Sequence, residues 1–277
     1  MRILISLLVM CATAAGGWYL WNQNSDVRNF IQSHLDSGNF STLEVRYTAD
    51  QIMALHKPEL LKTSNYSYLE PTLKFYPYAL LDVKYSNHHD ATHEGVILWG
   101  LEDGEMVLET ANWTKTHGIE DCINSRADKT DYRFIFALSK TGGRADRSRL
   151  LDALHVESEV LDSMAESCRK KKLIVQQGNE YRLHFHRPLI QHVPETKLDH
   201  WLVTMPYKNA ERIGSQYSLS QIKETAYNLF GNDFTVRNIV EIYLPVYSIT
   251  VQNPDGSRFT THWNALNGKR FTNSSVK

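Results

Sequence analysis

Few residues of this 277-residue chain are arranged as catalysis would require. The stretch 116–122 reads THGIEDC and places His117 five positions before Cys122. A cysteine nucleophile needs a base within hydrogen-bond distance and an orienting group, and a short separation along the chain does not provide that geometry. We expect a connecting segment here and no catalytic residue. A thiol-dependent hydrolase is the second alternative function.

Histidine is the next residue type that could carry chemistry. His88, His89, His93 and Glu94 lie close together in a predicted hairpin loop. A zinc site needs three or four converging ligands, and this group is interpreted as a solvated polar loop. The sequence contains no phosphate-binding glycine loop, no HExxH and no calcium-loop motif. It therefore predicts neither a metal nor a cofactor.

A repeated pattern predicts the elements around these residues. YTADQI at 47–52 and YSLSQI at 217–222 are both capping boxes, in which a hydroxyl and a glutamine satisfy backbone N–H groups at the start of a helix. Each predicted helix is followed by a strand with alternating apolar residues that contains a proline, Pro77 in the first copy and Pro245 in the second. Proline restricts such a position to an edge, a strand start or a bulge.

The two copies also agree after the proline strand. Trp99 stands five residues before Gly104, and Trp263 stands five residues before Gly268. Asp-Gly and Asn-Gly are turn dipeptides whose glycine readily adopts a positive φ. The shared order of capping box, proline strand, tryptophan strand and glycine turn indicates an internal duplication.

The second copy, about 217–272, resembles the PepSY domain family. The resemblance rests on the capped amphipathic helix and on YSITVQNPDGSRFTTHWNALNGKRF, in which Asn264–Gly268 stands where the family has an Asp-Ala-x-x-Gly-like ending. It implies a binding or inhibitory module without enzymatic activity. We predict that the edge strands near the prolines and the nearby aromatic residues form the interaction surface, namely Tyr76, Pro77, Trp99, Tyr243, Pro245 and Trp263.

The segment between the copies, about 131–186, resembles a winged helix-turn-helix. A helix from Phe134 to the Gly142-Gly143 turn, two further helices and a hairpin at Gln177–Asn179 carry the resemblance, with His155 in a turn where the family often has Gly. The segment holds ten Lys and Arg against eight Asp and Glu, a net charge of +2, which is small for a duplex binder. The cations that would bind DNA are Arg144, Arg147, Arg149, Lys170, Lys171 and Lys172.

The amino-terminal segment predicts membrane targeting. Residues 3–21 form a run without a charge, which as a helix would span roughly 28 Å, close to the hydrocarbon thickness of a bilayer. Trp18, Tyr19 and Trp21 lie at its far end, as in an interfacial aromatic belt. A signal-anchor is favoured over a cleaved signal peptide and over a lipoprotein signal at Cys11. The positions of Arg2 and Arg28 favour an extracytoplasmic location for the bulk of the chain.

Composition restricts the remaining possibilities. The chain is 42% hydrophobic and 22% charged, which excludes a disordered chain and a multi-span membrane protein. Its formal charge of -1 gives no overall field for nucleic acid, and three cysteines are too few for a disulfide scaffold.

These patterns together predict an α+β protein. Its parts are a signal-anchor or signal peptide, a first α+β (PepSY-like) module, a winged-helix-like module and a second α+β (PepSY-like) module, at residues 1–24, 25–125, 126–190 and 191–277. The function predicted first is that of a non-enzymatic, membrane-anchored envelope protein that binds another protein or assists assembly. The alternative is a membrane-tethered DNA-binding regulator.

Overall fold

Two long strands from opposite ends of the chain form the centre of the fold. The computed structural model describes residues 39–62, 66–86, 91–185, 188–190, 193–208 and 210–272. The architecture is mixed α+β with several sheets, as predicted. The predicted anchor at 3–21 lies outside the described residues, as do His88 and His89. Within the described ranges, no helix is long and apolar enough to cross a membrane.

The elements follow one another along the chain as strands and helices of very different length. The strands are β1 (Asn39–Leu43), β2 (Ser67–Tyr68), β3 (Thr72–Ser86), β4 (Thr92–Gly100), β5 (Val107–Glu109), β6 (Thr114–Lys115), β7 (Arg144–Asp146), β8 (Ile174–Gln177), β9 (Glu180–Leu183), β10 (Thr204–Lys208), β11 (Glu211–Arg212), β12 (Phe234–Gln252) and β13 (Arg258–Asn264). The helices are α1 (Ala49–Leu55), α2 (Lys57–Leu60), α3 (Ile119–Asn124), α4 (Lys129–Lys140), α5 (Arg147–Leu154), α6 (Ser158–Lys170) and α7 (Leu219–Phe230).

The largest sheet joins the two segments that carry the sequence repeat. Its strand order is β10-β1-β12-β3-β11, with β4 beside β3, and with β13 and β2 beside β12. Strands β3 and β12 pair antiparallel over most of their length, with Tyr76 opposite Leu244. The register is symmetric about this pair, because Pro77 lies opposite Tyr243 and Phe75 lies opposite Pro245.

Each proline lies in a long strand at the point where that strand changes its outer neighbour. Strand β3 pairs with β11 through Phe75 and with β4 from Tyr78 onward, and Pro77 stands between these two partners. Strand β12 pairs with β1 at Tyr243 and with β13 from Val246 onward, and Pro245 stands in the same gap. Proline has no N–H to donate to a ladder, so it fits a gap between two neighbouring strands.

Helices α1 and α7 lie over strands of the opposite repeat. Both predicted capping boxes are confirmed: the Thr48 and Ser218 side chains each accept from the backbone of the glutamine three residues on. Ile52 of α1 packs in one cluster with Ile249, Val251 and Trp263 of the second copy. The buried face of α7 packs in another cluster with strands of the first copy, through Ile222, Ala226, Leu81, Ile97 and Trp99.

The two glycine turns also form contacts between the repeats. Gly104 N donates to Gly100 O at 3.1 Å, and Gly268 N donates to Asn264 O at 2.8 Å, with φ of 67° and 70° at the two glycines. Tyr217 N donates to Leu101 O, and Tyr47 N donates to Ala265 O, both at 2.9 Å. The tyrosine before each capped helix is therefore bonded to the turn of the other copy.

The middle segment forms helices α4, α5 and α6 beside a sheet of order β7-β9-β8. Helix α4 begins at Lys129, earlier than the Phe134 start that the sequence suggested, because Asp128 and Asp131 form a third capping box. His155 ends α5 in the left-handed region at φ 51°. Helix α4 shares one core cluster with helix α7 and with strands β3 and β4, so the middle segment and the large sheet have a continuous core.

Candidate interaction surface

The six residues that the sequence suggested as an interaction surface are all buried in the sheet. Trp99 and Trp263 are both 0% exposed. The indole N–H of Trp99 donates to Gly104 O at 2.7 Å, and that of Trp263 donates to Thr261 Oγ1 at 2.8 Å. Both indoles therefore have their hydrogen-bond partner inside the protein and hold the turns and strands of the core.

The aromatic residues beside the prolines also contribute to packing. Tyr76 contacts Phe271, with ring centroids 5.0 Å apart. Tyr243 contacts Phe40 at 5.0 Å, and its hydroxyl donates to Glu241 Oε1 at 2.7 Å. Pro77 in β3 and Pro245 in β12 are also buried. These residues fix the junction of the two repeats, and a partner has no direct access to them.

Five of the six cations suggested for DNA contacts form ion pairs with neighbouring acids. Arg144 pairs with Glu180, Arg147 with Asp162, Arg149 with Asp146, Lys170 with Glu166, and Lys171 with Asp128 and Asp131. Lys172 forms no ion pair with any residue that the structure describes. These pairs reduce the positive potential of the segment, which already carried a small net charge.

The structure does not bring His117 and Cys122 together as a catalytic pair. Cys122 is 0% exposed, whereas His117 is an exposed residue. Burial raises the pKa of the Cys122 thiol, and the nearby Glu105 carboxylate raises it further. A thiol in such surroundings stays protonated at neutral pH and is a poor nucleophile.

The histidine group does not form a metal site in the described part of the chain. His93 stacks on Tyr85 with ring centroids 5.5 Å apart, and Glu94 pairs with Arg237 at 2.6 Å. In the ranges that the structure describes, no three residues of the His, Cys, Asp or Glu type are grouped to hold an ion.

An apolar surface that the sequence reasoning missed lies in the segment leading into β10. Trp201 is 88% exposed, and every second residue after it is apolar and exposed as well. Val203, Met205 and Tyr207 are 45%, 48% and 38% exposed. Successive side chains of a strand alternate between its faces, so residues two apart share one face. We call Trp201, Val203, Met205 and Tyr207 the Trp201 stripe.

The backbone of this segment is held firmly although its side chains are exposed. Asp199 N donates to Thr110 Oγ1 at 2.9 Å, and Arg46 Nη2 donates to Trp201 O at 2.9 Å. Strand β10 then pairs antiparallel with β1, from Thr204 opposite Leu43 to Lys208 opposite Asn39. The stripe is therefore presented by ordered backbone and loses little conformational entropy when a partner covers it.

The open edge of β10 is poorly suited to pairing with another strand. Glu44 N donates to Val203 O at 3.1 Å, so Val203 directs its backbone groups toward β1. Backbone direction alternates along a strand, and Thr204, Pro206 and Lys208 therefore direct theirs to the open side. Proline and lysine at such positions discourage edge-to-edge pairing. The apolar side chains form the accessible surface.

Two adjoining hollows flank Trp201. The larger, about 830 Å³, is lined by Arg46, Leu198, Asp199, His200, Trp201 and Val203. A second, about 390 Å³, shares Arg46, Asp199 and His200 with it and reaches the Leu266–Asn267 turn of the second repeat. An apolar stripe beside a hollow with Arg, His and Asp offers both area and specific polar contacts.

One sequence signal could have revealed this stripe. Residues 201–207 read WLVTMPY, with tryptophan, valine, methionine and tyrosine at alternate positions. A period of two indicates a strand but does not by itself show which face of that strand is exposed.

Comparison of the chain with models of protein families, with curated protein sequences and with solved structures finds no match.

Proposed function

We propose that this chain is a non-enzymatic, membrane-anchored envelope protein that binds another protein through the Trp201 stripe. The observation that carries the proposal is the 88% exposure of the Trp201 side chain on a backbone held by Arg46 and Thr110. Tryptophan, tyrosine and arginine are the residues that most often dominate the binding energy of protein interfaces. The partner is a protein that presents an apolar ridge to the stripe, beside which Arg46 is already paired with Glu44 at 3.2 Å.

The proposed architecture is that of a duplicated module with an inserted unit. Two PepSY-like α+β modules flank a winged-helix-like module, after an amino-terminal membrane helix. Support for duplication comes from the equivalent capping boxes, from the equivalent prolines Pro77 and Pro245, and from the equivalent turns at Gly104 and Gly268. Support for the winged-helix likeness comes from the element order helix, strand, helix, helix and hairpin.

The proposed localisation is a single-pass anchor at residues 3–21 with the bulk of the chain on the extracytoplasmic side. It is supported by the uncharged run and by the aromatic residues at its end. Reporter fusions after Asn24 and after Lys277, read on both sides of the membrane, test it. A cytoplasmic signal from both would overturn the localisation and make DNA binding the next property to measure.

A DNA-binding regulator has less support, because acids neutralise most of the candidate cations of the middle segment. It requires duplex binding that weakens steeply as salt is raised. A thiol hydrolase has the least support, since Cys122 is fully covered.

Site-specific crosslinking in the native cell tests the proposed interface. A photoreactive amino acid is placed at Trp201 or Met205 of the full chain, and at Phe259, which is 50% exposed on β13, as the matched control. We expect one defined adduct from the two stripe positions and none from the control. The identified protein should then bind the purified full chain at least tenfold more weakly after Trp201→Ala.

Two results would contradict this function. One is equal adduct formation at Phe259 and at the stripe, which would indicate contact without specificity. The other is unchanged affinity of the crosslinked protein for the Trp201→Ala variant.

A further inference from the structure

We propose that a groove between helices α4, α5 and α7 binds a single-chain amphiphile with an acidic headgroup. The groove has a volume of about 980 Å³, which lies within the usual range for small-molecule sites. It lies where the middle helices meet the large sheet, and we call it the α4 groove. It is separate from the Trp201 stripe and does not depend on the identity of the protein partner.

One face of α4 supplies three cations to this groove. Lys129, Arg133 and Lys140 line it together with Phe136 and Ala137. Their spacing of four and seven residues places them along one side of the helix, over about 16 Å at 1.5 Å per residue. Asp233 is the single acidic residue among the lining residues that the structure describes. The groove therefore carries net positive charge.

The described partners of the α4 cations are neutral, so no acidic side chain offsets their charge. Lys129 Nζ donates to the neutral amide oxygen of Asn232 at 2.6 Å. Arg133 Nη2 donates to the carbonyl oxygen of Leu154, at the end of α5, at 2.5 Å. The Lys140 side chain forms no ion pair or hydrogen bond with any residue in the described ranges. An anionic headgroup would be attracted without first breaking an ion pair.

Apolar residues from α5, α7 and β12 form much of the rest of the groove, beside the polar Ser86 and Asn228. Leu229 and Phe230 at the end of α7 and Phe234 at the start of β12 line the groove, and Leu154 closes it from α5. Phe136 and Phe230 are partly exposed there. A small inorganic anion would leave this apolar surface in water, whereas an acyl chain would cover it while its headgroup meets the cations. The apolar side and the basic face together favour an amphiphile.

Photolabelling of the full chain in zwitterionic phosphatidylcholine vesicles tests the proposal. The probe is dodecanoate with a diazirine near its methyl end, and labelled residues are located by mass spectrometry. We expect labelling at groove residues such as Phe136 and Phe230, and competition by unlabelled dodecanoate. Dodecyltrimethylammonium, with the same chain and the opposite charge, should compete at least tenfold more weakly. Decanoate should compete roughly tenfold more weakly than dodecanoate, because each methylene contributes a few-fold to affinity.

Two matched pairs of variants keep the test specific. Ala153→Trp fills the groove from α5. Asp152→Trp adds the same ring at the preceding residue, which does not line the groove. Lys140→Glu reverses one groove charge, whereas Lys223→Glu makes the same change on the exposed side of α7. We expect groove labelling to fall at least tenfold in the first member of each pair and to persist in the second. The Lys140→Glu pair decides the question if Ala153→Trp does not fold.

Three results would overturn the proposal. Labelling confined to residues 3–21 would show that the probe reports only the lipid phase. Equal labelling in all four variants would show that neither the shape nor the charge of the groove matters. Displacement of a bound fluorescent dodecanoate analogue by an acidic amphipathic peptide alone, with no competition by dodecanoate, would assign the groove to a protein partner.

Discussion

Tyr76 lies directly opposite Leu244 near one end of the paired stretch of β3 and β12, and one residue beyond each of them stands a proline, Pro77 and Pro245. The two repeated segments thus meet about a local twofold axis within one sheet. Each capped helix covers strands of the other segment, so neither repeat completes its core alone. Contacts between such distant parts of the chain are expected to make folding slow.

Gly268→Ala should destabilise the protein more than Gly256→Ala does. Both glycines have positive φ, 70° and 84°, so each substitution carries a backbone penalty of about 1–2 kcal/mol. A Cβ at Gly268 would lie 3.0 Å from the Tyr47 ring, whereas a Cβ at Gly256 meets nothing within 4 Å. The difference in melting temperature between the two variants measures the contact of the turn with Tyr47. Equal melting temperatures would mean that the ring moves aside freely.

Removing one partner of the Asp103–Lys115 pair should be costly. Lys115 Nζ lies 2.6 Å from Asp103 Oδ2 and 5.1 Å from the Tyr78 ring centroid, and Asp103 is 1% exposed. Lys115→Met leaves a buried, uncompensated carboxylate, for which about 3–5 kcal/mol is typical. The measurement is the free energy of unfolding in urea.

Asp103→Asn provides the complementary half of a double-mutant cycle. Asn267 occupies the matching position of the second repeat, and its Oδ1 accepts from Lys269 N at 3.0 Å, as Asp103 Oδ1 accepts from Glu105 N at 3.2 Å. Asparagine can therefore keep the turn and remove only the charge. The double variant should lose about 1–3 kcal/mol less than the sum of the single losses. Strict additivity would show that the two charges do not interact.

Local signals made much of the fold predictable. The capping boxes at Thr48 and Ser218 and the turns at Gly104 and Gly268 depend on neighbouring residues alone, and the structure has all four. Helix α4 begins earlier than the apolar run from Phe134 indicates, because Asp128 and Asp131 form a capping box before Lys129.

Pairing between distant segments could not be read from the sequence. Nothing local shows that α1 covers the second repeat or that β3 pairs with β12. The same limit explains the functional residues, because a tryptophan is equally compatible with a core position, as at Trp263, and with an exposed one, as at Trp201. Which side chains of β10 stay exposed depends on what packs against the sheet, and Tyr207, for example, lies against the Phe75 ring with centroids 4.8 Å apart.

Stability should decrease between pH 5 and 7 because of Glu105. Burial raises the pKa of this carboxyl from 4.5 to about 7, although the Thr116 hydroxyl and the N–H groups of Glu120 and Gly118 favour its charged form. The folded protein then holds a proton that the unfolded chain releases, so the stabilisation is complete below pH 4.5 and is lost as pH rises toward 7. The loss should approach about 1.4 kcal/mol per pH unit at most.

Glu105→Gln should remove that dependence on pH. The amide oxygen can still accept from Gly118 N, which lies 2.8 Å from Glu105 Oε1. Glu94→Gln is the matched control, since the hydrogen bond and charge of Arg237 lower the pKa of Glu94, so its contribution changes only below pH 4.5 and the slope between pH 5 and 7 should stay that of the wild type. Urea unfolding at pH 5, 6 and 7 measures the slope in the wild type and in both variants. A wild-type slope that Glu105→Gln leaves unchanged would assign the titration to another group.

Trp201→Ala should leave the folded protein intact, whereas Trp263→Ala should not. Trp263 is 0% exposed and packs on His56 with ring centroids 4.2 Å apart, so its truncation should cost about 3–5 kcal/mol of stability. The Trp201 ring is 88% exposed, and its truncation should change stability by less than about 0.5 kcal/mol. Thermal unfolding of both variants measures this contrast. A large loss of stability in Trp201→Ala would show that the ring stabilises the fold. That result would contradict the proposal that the Trp201 stripe is a binding surface.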